Sequence, residues 1–269
     1  MNKIGRDQLY EQAKEWILEA GARIRMQMQD PLIISEKSNP QDLVTTVDEE
    51  TERFLAGKIR ETYPEHHLIS EEGFGDHLTS MKGTVWLVDP IDGTTNFIHQ
   101  RRNFAISAGI FHDGIGEIGF IYDVMSDILY SAKRGAGAFK NEEKLPLLDD
   151  NVRLERSVLA MNNKWLIPNP IVETETMEEL IRTVRATRTY GSAALEFAYV
   201  AEGIVDGYLT IQLSPWDIAA GIIIVNEVGG VTTNIDGKDI DILNKNSIVV
   251  CNKMIHDRLV DDFIKKGRK

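Results

Sequence analysis

The sequence predicts two successive halves: an α+β half over residues 1–150 and an α/β half over residues 151–269, joined near Leu148–Val152. Three observations predict this division. Apolar residues recur at helical spacing near the N-terminus, short apolar runs then follow one another closely between turn residues, and from about residue 150 strands and helices alternate. Closely spaced strands pair as an antiparallel sheet. Strand–helix alternation builds the layers of an α/β unit.

Leu9, Ala13, Trp16, Ile17, Ala20 and Ile24 share one face of a helix predicted over residues 6–28. A polar loop, residues 35–40, precedes a second helix from Val47 to Thr62, with Phe54, Leu55 and Ile59 inward and Pro64 marking its end. Strands are predicted at His67–Ser70, Thr84–Val88, Phe104–Phe111, Gly114–Tyr122, Ile128–Ala132 and Ala138–Lys140, punctuated by glycines. In the second half, Ser157–Met161 reads as a strand and Thr176–Ala186 as a helix. Ala193–Glu202 is a helix ended by Gly203, and Val205–Ile211 a strand. Pro215 suits the first turn of a helix that runs to Glu227, and Gly229-Gly230 ends it. Strands at Val231–Asn234 and Ser247–Cys251 and a helix over residues 255–266 complete the chain.

Composition narrows the function. Hydrophobic residues make up 42% of the 269 and charged residues 27%, values of a folded globular protein. A net charge of −12 argues against a nucleic-acid scaffold, which presents a basic stripe. It is compatible with a phosphorylated substrate, because carboxylates attract Mg²⁺ and the metal attracts phosphate. The single cysteine, Cys251, allows no intrachain disulfide and reads as a small core residue at a strand end. The N-terminal segment has no apolar signal-peptide core, and the longest nearly apolar stretch, Ile218 to Val225, is far too short to span a bilayer. The expectation is a cytoplasmic enzyme with no membrane or nucleic-acid partner.

Three acidic clusters stand out: Glu71-Glu72, Asp89-Pro90-Ile91-Asp92-Gly93-Thr94-Thr95-Asn96, and Trp216-Asp217. Val85 to Val88 delivers Asp89 to the end of a buried strand, which Pro90 is expected to stop by removing a backbone donor. Gly93 permits a sharp turn into a helix start whose N–H groups suit an anion. Taken singly, the second cluster also fits a tight turn, Glu71-Glu72 a solvated pair, and Asp217 a partner of a helix dipole. Two carboxylates as close as Asp89 and Asp92 repel unless a cation lies between them, and a hard divalent ion with oxygen ligands meets that need. The six histidines show no metal-ligand spacing.

Trp86 through Phe97 spells W-x-x-D-P-[IL]-D-G-T-x-N-F and Trp216 through Gly221 spells W-D-x-A-A-G. With Lys37-Ser38-Asn39-Pro40, Asp42-Leu43-Val44-Thr45, Asp48 and Gly191-Ser192-Ala193-Ala194, these residues resemble the inositol monophosphatase family, within the wider group of Mg²⁺-dependent, Li⁺-sensitive phosphatases. The resemblance implies a layered αβαβα sandwich with an N-terminal antiparallel sheet and a C-terminal mixed sheet, usually a homodimer. It implies that Glu71, Asp89 and the carbonyl of Ile91 bind one Mg²⁺, and that Asp89, Asp92 and Asp217 bind a second. Glu71 would reach a third ion through water. Thr94, with Asp48 or Glu71, would position the attacking water, and the N–H groups of Gly93 and Thr94 would hold phosphate. Asp92, Gly191, Ser192, Ala193 and Thr210 fall at substrate-binding positions.

One departure bears on substrate. Animal members carry a glutamate seven residues before the second-signature aspartate, where it binds inositol hydroxyls. Thr210 stands there in this chain. A shorter, uncharged side chain grips a vicinal diol less firmly, so the expected inositol monophosphatase activity extends to NADP 2′-phosphate, fructose 1,6-bisphosphate or 3′-phosphoadenosine 5′-phosphate as alternatives.

Overall fold

In the computed structural model, which describes residues 1–36 and 43–269, the elements follow the predicted order. The early-segment motif residues 37–42, with most of the predicted polar loop, lie outside the described residues. Helix α1 (Lys3–Gln27) starts earlier than its apolar periodicity suggests, because Asn2 caps it by accepting from Gly5 N at 2.8 Å. A short ribbon, β1 (Ile34–Glu36) with β2 (Leu43–Thr45), leads into α2 (Thr46–Thr62).

The first large sheet holds β3 (His67–Ser70), β4 (Thr84–Asp92), β5 (Ala105–His112), β6 (Ile115–Asp123), β7 (Ile128–Lys133), β8 (Gly137–Lys140) and β9 (Glu143–Lys144), in that spatial order. A short helix, α3 (Thr94–Gln100), links β4 to β5. The sheet is antiparallel as predicted except at its edge, where β3 runs parallel to β4. That exception follows from connectivity, because the segment after Ser70 must cross back before β4 begins.

The second sheet is mixed. It contains β10 (Val158–Met161), β11 (Ala186–Arg188), β12 (Gly207–Leu213), β13 (Val231–Thr233) and β14 (Asn246–Cys251), ordered β11-β10-β12-β14-β13. Helix α4 spans Thr174–Thr183, so the prediction of a helix to Ala186 overshoots. Val184 is extended, and Ala186 pairs with Val158 in the parallel ladder. Helices α5 (Ala193–Glu202) and α6 (Pro215–Glu227) match prediction. The closing helix divides into α7 (Lys253–Arg258), capped by Asn252, and a π-helical stretch at Leu259–Ile264.

Burial shows the layering. Trp16 and Ile17 of α1 and Leu55 and Ile59 of α2 cover one face of the first sheet through Trp86, Val88 and Ile106. Phe197 of α5 and Ile218, Ile223 and Ile224 of α6 lie between the sheets, against Val85, Leu87 and Ile121 on one side and Val250 on the other. Met177 of α4 and Ile255 of α7 pack on the outer face of the second sheet with Leu159, Leu209 and Val249. The architecture is αβαβα. Among the described residues no helix is long and apolar enough to cross a membrane. Cys251 is buried at the end of β14, and burial pushes its thiol up.

Candidate active site

In a regular strand Asp89 and Asp92, three residues apart, would point to opposite faces. They do not, because β4 is irregular at this point. Its pairing with β5 holds from Thr84 opposite His112 to Asp89 opposite Ser107, then slips before Asp92 meets Ala105. Pro90 lies in the slip, where the lack of an N–H costs no ladder bond. The strand thus does not stop at Pro90 as predicted; it bulges there and runs on to Asp92. Ile91 N donates to Asp89 Oδ1 at 3.0 Å and fixes that carboxylate.

Three other elements converge on this bulge. The parallel register sets Ser70 opposite Val88, so the next residue, Glu71, leaves β3 level with Asp89. Helix α6 brings Asp217 at the third position of its first turn, where Ser214 N donates to Asp217 Oδ2 at 2.8 Å. Ser107, the β5 partner of Asp89, donates to the carbonyl of Trp216 at 3.2 Å, which seats that first turn against the sheet. Asp48 occupies the matching position of α2 and accepts from Thr45 N at 3.0 Å in a capping box.

One carboxylate oxygen each of Asp89, Asp92 and Asp217 lie within 4.8 Å of one another. Burial, then the charges of Glu71, Asp92 and Asp217, push Asp89 well above the usual carboxylate range. Burial, then Asp92 and Glu71, does the same to Asp217. Asp92 is pushed up to about 6, mainly by burial, against the hydrogen bonds it accepts from Ser192 and Ala194. Asp48 also rises to about 6, chiefly through burial, with Glu71 adding to it. Glu71 is half-buried and its charge acts on all four aspartates. Oxygen-only donors that oppose one another's ionisation fit a hard divalent cation, which would relieve both the burial cost and the repulsion.

Gly93 adopts φ 95° at the start of α3, and a Cβ there would lie 3.2 Å from the carbonyl of Gly191 and from Ser192 Cβ. Thr94 Oγ1 donates to the carbonyl of Ile91 at 3.2 Å. Asn96 ties this turn to the second half of the chain, donating to the carbonyls of Asn103 at 2.8 Å and Tyr190 at 2.7 Å. Ser192 Oγ and Ala194 N, the latter at 2.7 Å, both donate to Asp92 Oδ2. Gly191, Ser192 and Ala193 therefore border the acidic cluster directly. Thr210 is buried on β12, two residues along the strand from the buried Tyr208.

Sequence reasoning passed over two buried glutamates. Glu196 accepts from Tyr190 N at 2.7 Å and holds the loop that bears Ser192. Burial above all raises it to about 7. Glu52 accepts from Ser70 Oγ and from the N–H groups of Glu72 and Phe74. Its signal was its spacing, since Glu52, Leu55 and Ile59 fall on one helix face.

A family model described as the inositol monophosphatase family matches residues 6–267. The chain is 50% identical over 252 residues to an inositol-1-monophosphatase of Bacillus subtilis (strain 168), covering 94% of this chain and 95% of that one. The crystal structure of SaIMPase-II, the inositol monophosphatase II of Staphylococcus aureus, with 2′-AMP bound superposes with a TM-score of 0.88 at 43% identity, covering 96% of this chain and 95% of that chain. An IMPase/NADP phosphatase complexed with Mg²⁺ and phosphate is 26% identical with a TM-score of 0.87 over 95% of both chains. Taken with the acidic centre that four separate elements assemble, these likenesses establish that the chain belongs to the inositol monophosphatase family of phosphatases.

Proposed function

We propose that the chain is a Mg²⁺-dependent phosphomonoesterase that hydrolyses inositol monophosphate by attack of a water molecule. The observation that supports this most is the set of Asp89, Asp92 and Asp217 oxygens within 4.8 Å of one another. Glu71, Asp89 and the carbonyl of Ile91 would hold one ion, and Asp89, Asp92 and Asp217 a second. Glu71 would share a third through water, giving two or three ions per subunit. Bound Mg²⁺ neutralises phosphoryl oxygens, makes water more acidic and stabilises the leaving alkoxide.

The chain's own groups do the rest. The Gly93 and Thr94 N–H groups, at the open start of α3, hold the phosphate oxygens. Thr94 Oγ1, with Asp48 or Glu71, orients the attacking water, and the carboxylate takes its proton. Asp92, held by Ser192 and Ala194, faces the substrate together with Gly191 and Ala193. In this reading the enzyme works as a cytoplasmic homodimer. The test is phosphate release from myo-inositol 1-phosphate with and without Mg²⁺. Asp89→Asn is expected to lose at least ~100-fold in rate, as for removal of a charge-stabilising group. Equal rates for the two proteins, or no need for Mg²⁺, would defeat the reading. Li⁺ is expected to inhibit.

A second reading concerns the alcohol. Thr210 is buried and uncharged, so it offers an incoming diol no carboxylate. SaIMPase-II binds 2′-AMP. We therefore extend the proposal to nucleotide 2′-phosphates such as that of NADP. A panel of myo-inositol 1-phosphate, NADP, fructose 1,6-bisphosphate and 3′-phosphoadenosine 5′-phosphate, compared by kcat/KM, decides between a narrow and a broad enzyme.

A further inference from the structure

We infer that Glu52 is a positioning residue for the metal centre: its buried carboxylate is the core around which the Glu71 loop is folded. The loop runs from Leu68 to Asp76 and is cinched at its neck, where Asp76 N donates to the Leu68 carbonyl at 2.6 Å and Leu68 N donates to Asp76 Oδ2 at 2.9 Å. Inside the loop lies the carboxylate of Glu52, fully buried. Its Oε1 accepts from Ser70 Oγ at 2.6 Å and Phe74 N at 2.8 Å, and its Oε2 accepts from Glu72 N at 2.6 Å. Two of these three donors, Ser70 and Glu72, sit immediately before and after Glu71. A rotation of Glu71 about its backbone would break at least one of these bonds.

The loop is tightly folded. It contains Gly73 at φ 90°, and a Cβ on Gly75 would lie 2.8 Å from Ser70 N, so its backbone is folded back on itself. Three side chains of α2 supply the support. Besides Glu52, the Arg53 guanidinium stacks over the Phe74 ring at 4.9 Å, and Arg60 donates to the Phe74 carbonyl at 2.6 Å. Asp48 lies one turn before Glu52 on the same helix. Helix α2 thus sets Asp48 directly and Glu71 at one remove, and fixes their separation.

A buried anion is a costly staple if stability is its only purpose. A hydrophobic residue on this helix face could pack the loop, but it could not accept two backbone N–H groups and a hydroxyl. The carboxylate selects one loop conformation, and that conformation presents Glu71 beside Asp89. Glu52 can act this way only if Glu71 binds a cation, as proposed above.

The test measures Mn²⁺ binding directly, by the loss of the free-ion electron paramagnetic resonance signal, in the parent, Glu52→Gln, Glu71→Gln and the double variant. Glutamine keeps the size of Glu52 but turns one acceptor oxygen into a donor that faces an N–H. Glu52→Gln is expected to weaken Mn²⁺ binding at least ~10-fold, the usual effect of removing a group that orients a ligand. In the Glu71→Gln background the same change should cost nothing more, because its effect passes through Glu71. Equal losses in both backgrounds, or binding as tight as the parent's, would overturn the role. Ser70→Ala, which spares both backbone bonds, covers the case in which Glu52→Gln does not fold. It should weaken binding about threefold through Glu71, and unchanged binding there counts equally against the role. If Glu71→Gln alone leaves binding intact, the metal-site reading fails instead.

Discussion

At the scale of single residues, the centre depends on the groups that hold its carboxylates in place. Asp92 is held by Ser192 Oγ and Ala194 N, both on Oδ2, within the cluster it shares with Asp89 and Asp217. Ser192→Ala removes one of these bonds and leaves α5 with a poorer cap, since Ser192 Oγ also accepts from Leu195 N at 3.2 Å. We expect kcat/KM for myo-inositol 1-phosphate to fall ~10-fold, within the range for loss of a ligand-orienting bond, with about 1 kcal/mol lost in stability through the cap. Steady-state kinetics and urea unfolding measure the two separately. The motif residues were legible in the sequence because acidic and turn residues crowd into short segments. Glu52 and Glu196 were not, because a glutamate within a helix reads as solvated until its face is known. Both carboxylates accept from backbone N–H groups of loops, those of Glu72 and Phe74 for Glu52 and that of Tyr190, just before its own helix, for Glu196.

At the scale of elements, placement depends on how closely α5, α6 and the first sheet approach. A Cβ on Gly221 would lie 2.3 Å from Phe197 Cγ, and one on Gly109 would lie 2.6 Å from Ala219 Cβ. The small residues after Trp216-Asp217 therefore let α6 sit flat against β5 and α5, with Asp217 held at the bulge. Gly221→Ala should force these helices apart and cost about 1–3 kcal/mol, the usual penalty of overpacking. It should also weaken Mg²⁺ activation, because Asp217 moves with its helix. Urea unfolding and a Mg²⁺ titration of activity check the two effects; an unchanged midpoint would mean that the contact relaxes freely. Helix ends were legible where a cap or a glycine marks them, as at Pro215 and Gly203. The strand through Pro90 and the short β11 were not. Pro90 is accommodated by a bulge that only pairing with β5 reveals, and β11 depends on β10 as its partner.

At the scale of the molecule, the fold brings together carboxyls that would rather keep their protons. Asp48 and Asp92 rise to about 6 from an ordinary 3.8, Glu196 to about 7 from 4.5, and Asp89 and Asp217 well above 3.8, each chiefly through burial. A carboxyl raised on folding holds a proton that the unfolded chain has already released. Between the two values the native state binds more protons, so stability is full below the unfolded value and is lost as pH rises through the folded one. Asp7, Glu19 and Glu155 shift the other way through Lys133, Arg23 and Arg258, but these are surface pairs of small worth. The raised groups should therefore dominate. Without Mg²⁺, the thermal midpoint is expected to fall as pH rises from about 5 to about 8, the reverse of the usual acid sensitivity. A cation bound only by the folded, ionised cluster stabilises in proportion to its affinity, which grows as competing protons leave. Saturating Mg²⁺ should thus raise the midpoint little near pH 5 and by several degrees near pH 8. Asp89→Asn, which removes one of the opposed charges, should flatten the metal-free slope and most of the Mg²⁺ response together. A midpoint that climbs with pH in the absence of metal, or a Mg²⁺ shift that survives in Asp89→Asn, would show that this cluster does not set the protein's response to pH.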